Sequence, residues 1–582
     1  LRHRGPDDSG EFEAENVLLA MRRLSIIDVS GGAQPIYNET RSLAVICNGE
    51  IYNYVELMAA LKERGHQFHS NSDVETIVHL YEEYGDNCVQ HLRGMFAFAL
   101  WDNQRRRLLL ARDRIGEKPL YLWQDHHAVY FASEMKALLN AVPAIPELDP
   151  IAIDLFFHYQ YIPEPRTAFK GIRKLPAAHR LIVDVASWNL HEQNYWNPLD
   201  APALTGDPTE LIRNELETIS RIVVRSDVPV GIALSGGLDS GAIALLTAPT
   251  YPETMRAFSA GYPGNLPNDE RPQALTLANQ LGIPFYDVEL KTDDFVDFFP
   301  QLMLALDDPV ADIAAFPQYA VMRYAADHGV KVMLNGLGGD ELFWGYPWVR
   351  EAAQKTENRW KARGIQRLLK NWNRVPDNQL TFYDLEVGFK AFQPRQSQFY
   401  SPEFLSNLPA NNAFSPFIVP DTSAAAPLLI TRAIFDTWLL GNCIALGDRL
   451  SMASSLELRL PLVDYRLVEV VFGLRKCHDD HLLPPKSWLK SALHDILPTE
   501  LVNRPKQGFA PPSLEWIAAL IKQHGYRIKQ GVLLDTRLIN SEAANSLLTN
   551  FSIGGWNWVT AYKLLVFETW YESVISQYVQ PA

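Results

Sequence analysis

Residues 228–246 read VPVGIALSGGLDSGAIALL. The apolar run 230–234 has the length and flanks of a buried strand, and Ser235-Gly236-Gly237-Leu238-Asp239-Ser240 turns it into a second apolar run that starts a helix. Two adjacent glycines let a ligand approach the backbone closely, and the hydroxyls and new helix N-terminus offer donors to an anion. Such a turn suits a pyrophosphate. Asp239 in its middle would repel a bare phosphate, so a magnesium ion between them is expected. A glycine turn that merely joins two elements is the competing reading of SGG alone; the complete SGGLDS at a strand end is more specific.

The pattern recurs downstream. Strand-like runs at 228–234, 255–260, 285–290 and 330–334 alternate with helical patterns, among them 209–225, 270–281 and 316–328. This alternation predicts an α/β unit whose parallel sheet binds ligands at the carboxyl ends of its strands. Gly336-Leu337-Gly338-Gly339-Asp340-Glu341 lies at a second such end. Two glycine-rich, acid-bearing turns on one edge define an expected nucleotide and metal site. Residues 351–582 read as largely helical, with irregular stretches around 376–379 and 409–426.

Upstream, strands and helices fall in separate runs, which predicts a layered α+β unit. LAVIC at 43–47 reads as a strand closed by a turn at Asn48-Gly49. Residues 54–64 read as a helix ended by Gly65. SDVE at 72–75 has the form of a capping box opening a helix that carries Ile77, Leu80, Tyr81 and Tyr84 on one face. Residues 95–101, 107–111 and 129–132 read as strands. DAPALTGDP at 200–208 has little to bury and is the expected boundary between a unit at 1–199 and a unit at 209–582.

Composition bounds the rest. The chain has 582 residues, too many for one core, and a hydrophobic fraction of 47% that excludes a disordered protein. A net charge of −15 argues against nucleic acid as a main partner. The four cysteines form no CxxC pair, so they give neither a disulfide framework nor a zinc site, and a reducing, cytoplasmic setting fits. No apolar run approaches about 18 residues, so no membrane span is expected. The first residues are charged, unlike a signal peptide, and do not begin with methionine. The sequence is therefore expected to be a fragment.

RHRGPDD (2–8), RRLSIID (22–28), GGAQPIYNE (31–39), NGEIYNY (48–54), SDVETIVHLYEEYG (72–85), RGMFAFALWD (93–102) and ARDRIGEKPLYL (111–122) resemble the glutaminase half of class B, glutamine-hydrolysing asparagine synthetases. SGGLDS, which also resembles the PP-loop of ATP pyrophosphatases, NGLGGDELFWGY (335–346), DRLSMASSLELRLPLVD (448–464) and the Lys486 segment resemble their synthetase half. The resemblance spans nearly the whole chain in family order. It implies an αββα glutaminase of the N-terminal-nucleophile type, then an α/β PP-loop domain with a helical C-terminal part.

What the resemblance implies residue by residue is specific. Asn48 and the Gly49 N–H would form the oxyanion hole, Arg23 would hold the glutamine carboxylate, and Asp73 with Glu50 the glutamine ammonium. In isolation, Asn48-Gly49 reads equally as a turn and Asp73 as a first-turn helix acid. The nucleophile would be an N-terminal cysteine with its free α-amine as base. None of Cys47, Cys88, Cys443 or Cys477 is near the chain start, so that cysteine is expected in a segment preceding RHRGPDD. In the second half Leu234, Ser235, Gly236, Gly237, Asp239, Ser240 and Gly336 would bind ATP, and Asp239 and Asp340 would ligate Mg2+. Arg323 and Lys486 would neutralise charge on the phosphates, though a lone Arg or Lys is ordinarily a solvated surface charge. The substrates implied are glutamine, ATP and aspartate, without nucleic acid or membrane; a homodimer is left open.

One position departs from the family. The usual S-G-E-G or S-G-D-G is here Asn335-Gly336-Leu337-Gly338, and Leu337 can neither accept a proton nor pair with ammonium. The expected activity is glutamine-dependent asparagine synthesis. The alternatives are amidation of another carboxylate, such as a sugar acid in surface-polysaccharide synthesis, and a catalytically silent interaction protein.

Overall fold

A computed structural model describes residues 1–264, 269–362, 370, 372, 375–381, 387–504, 511–549 and 556–576. In the first unit β1 (Asp8–Ala14) and β2 (Val17–Arg23) form a hairpin. A six-stranded antiparallel sheet follows from β3 (Ile36–Tyr37), β4 (Leu43–Ile51), β5 (Gly94–Asp102), β6 (Arg107–Arg112), β10 (His179–Asp184) and β11 (Asn189–Asn194), in the order β11-β10-β6-β5-β4-β3. A three-stranded sheet has the order β8-β7-β9, from β7 (Tyr121–Gln124), β8 (Val129–Ala132) and β9 (Arg173–Lys174).

Both faces of the large sheet are covered at its centre, which is why β4, β5 and β6 read as largely apolar runs. Val45, Cys47, Phe96, Phe98 and Leu100 face α1 (Tyr54–Glu63) and α2 (Glu75–Tyr84). Their neighbours Ile46, Ala97, Ala99 and Trp101 pack instead with Leu120 and Leu122 of the second sheet region. The helix α3 (Met135–Leu139) packs on β7 and β8, and α4 (Pro150–Tyr159), capped by Asp149, follows it. The expected αββα layering holds.

Two local readings are corrected. Asn48-Gly49 is not a turn: β4 runs through it to Ile51, with Gly49 paired to Phe96. The glycine is needed because φ is +140° there and a Cβ would stand 2.0 Å from the Met95 carbonyl oxygen. Gly49→Ala is therefore expected to lower stability by about 1–3 kcal/mol, seen as a lower midpoint in thermal denaturation. Nor is SDVE a capping box. Asp73 accepts instead from the Ile51 N–H (2.8 Å), and Glu75 accepts from the N–H groups of His69 and Ser70.

The second unit opens with α5 (Pro208–Ile222), capped by Asp207. Its sheet is wholly parallel, in the order β14-β13-β12-β15-β16. The strands are β12 (Val230–Ala233), β13 (Arg256–Gly261), β14 (Phe285–Glu289), β15 (Val332–Leu334) and β16 (Glu457–Arg459). Helices α6 (Leu238–Thr247), α7 (Arg271–Leu281), α8 (Thr292–Leu306) and α9 (Ala315–Asp327) intervene. The chain builds outward from β12 to β14, then returns to lay β15 on the other side of β12. That reversal makes the carboxyl ends of β12 and β15 a topological switch point, where such sheets bind ligands.

β16 is a three-residue strand within the region read as largely helical, which is otherwise built of helices among the described residues. Parts of that region, at 363–369, 371, 373–374, 382–386, 505–510, 550–555 and 577–582, lie outside the described residues. A helix at Ala426–Ala453 is apolar and long enough to cross a membrane by length and composition, but 78% of its most apolar window is buried inside the protein, as in a core helix. Its last turns carry Asp448, which takes Arg4 (2.9 Å) and Lys118 (3.2 Å) from the first unit. Burial raises the Asp448 carboxyl, and those two cations more than offset it, leaving it below its ordinary value. The connection between the units is not slack either. Leu204 N–H donates to Gly473, and Lys476 Nζ donates to the carbonyls of Leu199 and Ala201.

Candidate active sites

The first site is a cavity of about 680 Å3 lined by Leu1, Arg23, Asn48, Gly49, Glu50 and Asp73, among others. The structure thus brings together every residue expected for glutamine. Arg23, at the end of β2, is fixed by the carbonyls of Ile27 and Asp28 (both 2.9 Å) and Val29 (3.3 Å). Asn48 Nδ2 donates to Ser133 Oγ at 3.3 Å. Asp73 is fully buried, and burial pushes its carboxyl up to about 6 against the pull of the Ile51 N–H. Burial and the Asp73 charge push Glu50 well above its ordinary value, while Arg459 pulls it down. Glu50 Oε2 pairs with Arg459 at 3.2 Å, and Oε1 has no hydrogen-bond partner among the described residues. A donor from a bound ligand would satisfy it.

Cys47 also lines this cavity, but its side chain belongs to the layer under α1 and α2. Burial raises its thiol well above the ordinary range, so it is a core residue and not a nucleophile.

The second site is the switch point. Ser235 N–H and Ser240 Oγ are 3.2 Å apart, the two serine hydroxyls 3.0 Å, and Gly237 N–H donates to Ser235 Oγ at 3.1 Å. These bonds close the turn ahead of α6 and leave Leu234 buried at the strand end. Asp340 lies on the short helix α10 (Gly339–Leu342). Gly339 packs so tightly on Asp239 that a Cβ would fall 2.5 Å from its carboxylate. Lys486 Nζ sits between the acids, 2.5 Å from Asp239 Oδ2 and 2.6 Å from Asp340 Oδ1. Burial lowers its pKa, but the two carboxylates outweigh burial and hold it above the ordinary lysine value. One cation reaches both carboxylates at once, so the pair has the placement and hard oxygen donors a magnesium ion requires.

Arg323 is not brought to this site. It is exposed on α9 and pairs with Asp327 one turn on, at 2.7 Å. Its expected role on the phosphates is corrected: the helix turns it to solvent. Arg504 does reach the turn: its guanidinium donates to the Gly236 carbonyl. Sequence reasoning missed Arg504 because it lies 268 positions from its partner, with no local motif to mark it. Leu337 is half-buried beside the turn and packs against the core; its N–H donates to Asn335 Oδ1 at 3.0 Å.

The two sites are joined. Arg459 of β16 pairs with Glu50 in the first, and its carbonyl accepts from the N–H of Asn335, which opens the second acidic turn.

A glutamine amidotransferase domain model matches residues 1–196 and an asparagine synthase model matches residues 211–572. Asparagine synthetase [glutamine-hydrolyzing] 1 of Bacillus subtilis is 30% identical, with 100% of this chain and 93% of its own length covered. A putative asparagine synthetase [glutamine-hydrolyzing] of Mycobacterium bovis is 32% identical over 89% of this chain and 84% of its own. Asparagine synthetase B of Escherichia coli is 33% identical over 61% of this chain and 62% of its own. With both halves matched in order and both sites assembled, the chain belongs to the glutamine-hydrolysing asparagine synthetase family.

Proposed function

We propose that residues 1–199 hydrolyse glutamine, that 200–208 connect, and that residues from 209 onward use the ammonia to convert aspartate to asparagine with ATP. The chemistry is a carbon–nitrogen ligation. In the first site Arg23 takes the glutamine carboxylate, while Asp73 and Glu50 take its ammonium. Asn48 Nδ2 and the Gly49 N–H donate to the oxyanion that forms when the amide carbonyl is attacked.

In the second site an aspartate carboxylate oxygen attacks the α-phosphorus of ATP and pyrophosphate departs. Ammonia then attacks the acyl carbon, AMP leaves with the bonding pair, and one proton is lost. Ser235, Gly236, Gly237 and Ser240 hold the pyrophosphate, with Lys486 and Arg504 beside it to offset its charge. Asp239 and Asp340 would hold Mg2+, which when bound neutralises phosphate charge. Leu337 supplies no base, so the proton leaves to water or to another group.

The observation that carries this reading is the meeting of Asp239, Asp340 and Lys486 at the switch point. Nothing in the site or among the relatives favours a sugar-acid acceptor. The test is to supply ammonia, aspartate and MgATP and follow AMP, pyrophosphate and asparagine, expected in equal amounts. Formation of ADP instead would overturn it.

Asp73 adds a pH prediction. Its carboxyl, near 6 in the free site, must be ionised to hold an ammonium. Activity should therefore be present above that pH and be lost as pH falls through about 6. kcat/KM for glutamine should fall about tenfold per unit below it. Asp73→Asn should be weak at every pH.

A further inference from the structure

Away from both sites, four side chains converge at the edge of the first unit. Glu39 lies in the connection between β3 and β4, His66 between α1 and α2, and His79 and Glu82 one turn apart on α2. Their potential ligand atoms all lie within 4.8 Å of one another. Glu82 Oε2 is 3.0 Å from His79 Nδ1 and 3.3 Å from His66 Nδ1. The Glu39 carboxylate is 3.7 Å from His79 Nδ1 and 3.9 Å from His66 Nδ1. Tetrahedral bonds of about 2.0–2.1 Å separate ligand atoms by about 3.3 Å, within this spread.

Each ligand's other polar side is already tied. Glu82 Oε1 accepts from Asn38 Nδ2 at 2.8 Å, and Glu39 Oε1 from the Gln67 N–H at 2.9 Å. His66 Nε2 is 3.1 Å from Glu83 Oε1. His79 Nε2 faces the buried Glu75 carboxylate at 3.7 Å. Histidines that bind metals are oriented in this manner, with the outer nitrogen on a carboxylate and the inner one turned to the ion.

The charge balance points the same way. Glu39, Glu75, Glu82 and Glu83 surround two imidazoles, and the nearby Arg64 is spent on Glu83 at 2.8 Å. His79 is fully buried. Protonating both rings would place two cations with centroids only 4.9 Å apart. One divalent ion between two neutral imidazoles supplies the same charge without that repulsion. Two nitrogens with two carboxylate oxygens suit a zinc-class ion better than magnesium or calcium, which prefer oxygen throughout.

We propose that Glu39, His66, His79 and Glu82 form a structural site for a zinc-class divalent cation. Such an ion would clamp the β3–β4 and α1–α2 connections to α2, and so hold the segment that leads into Asp73 on the wall of the first cavity.

The test uses the chelator-stripped full chain titrated with Zn2+ by calorimetry and with Co2+ by visible absorption. One equivalent should bind, Co2+ should give the spectrum of a tetrahedral site, and Zn2+ should raise the melting temperature. His66→Gln combined with Glu82→Gln should abolish the spectrum and the Zn2+-dependent rise. Glu83→Gln, which removes the carboxylate partner of His66 and, with it, the exposed Arg64 ion pair, should weaken binding about 10–100-fold with the fold intact. A wild-type chain that binds no equivalent of either metal overturns the site, and so does an undiminished Co2+ spectrum in the double variant. Neither readout depends on glutamine hydrolysis or asparagine formation.

Discussion

Asp239→Asn and Asp340→Asn should each abolish magnesium-dependent pyrophosphate formation and leave glutamine hydrolysis at the wild-type rate. The two carboxylates reach a single cation, Lys486 Nζ, at 2.5 and 2.6 Å. Neutralising either one removes a hard anionic donor from a pair that a magnesium ion needs intact. Lys486→Ala should act through a different route. It deletes a positive charge beside the departing pyrophosphate, a loss of about 10²–10³-fold in rate by analogy with other electrostatic stabilisers. It also leaves two carboxylates facing each other, so Lys486→Arg is the variant that separates charge from geometry. Pyrophosphate release measured with ammonia as nitrogen donor checks all four variants. An Asp239→Asn chain that keeps wild-type release would remove the carboxylate from the metal site.

That site was legible because its parts are local. An apolar strand, a double-glycine turn and a helix start occupy adjacent positions in 228–246, and strand–helix alternation alone puts the second acidic turn on the same edge. What stayed illegible is what depends on partners far along the chain. β16 is only Glu457–Arg459, with charged ends, and it is a strand because its backbone pairs with β15. Its arginine is buried because Glu50 and Glu457 neutralise it. No periodicity in three residues could have announced that.

The errors in the first unit have the same origin. Asn48-Gly49 carries the commonest turn signature, yet the glycine serves a close approach of β4 to β5. Asp73 sits where a helix-capping acid would sit, yet its carboxylate is spent on Ile51 of a strand. Arg323 kept its place in the sequence motif and lost its place in space, because the α9 face that carries it turns to solvent. The residues the resemblance named for glutamine line one cavity, but it could not show that Glu50 pairs with Arg459 across the two units.

Asn48→Ala should lower kcat for glutamine hydrolysis by about 10²–10³-fold, or about 2.7–4 kcal/mol, with KM for glutamine little changed. The asymmetry follows from when the amide acts. In the free chain Asn48 Nδ2 is held by Ser133 Oγ at 3.3 Å, a long bond that fixes its direction at little energetic depth. The ground-state carbonyl gains little from such a donor, whereas the oxyanion gains a great deal, so the loss falls on the rate of the chemical step. The Gly49 N–H remains in the variant, which is why activity should be reduced and not erased. Ser133→Ala should cost far less, because it removes only the group that orients the amide. Synthesis from free ammonia, at the switch point of the other unit, should run at the wild-type rate in both variants. A rise in KM without a fall in kcat would assign Asn48 to substrate binding instead of the oxyanion hole, and unchanged hydrolysis would remove it from the site.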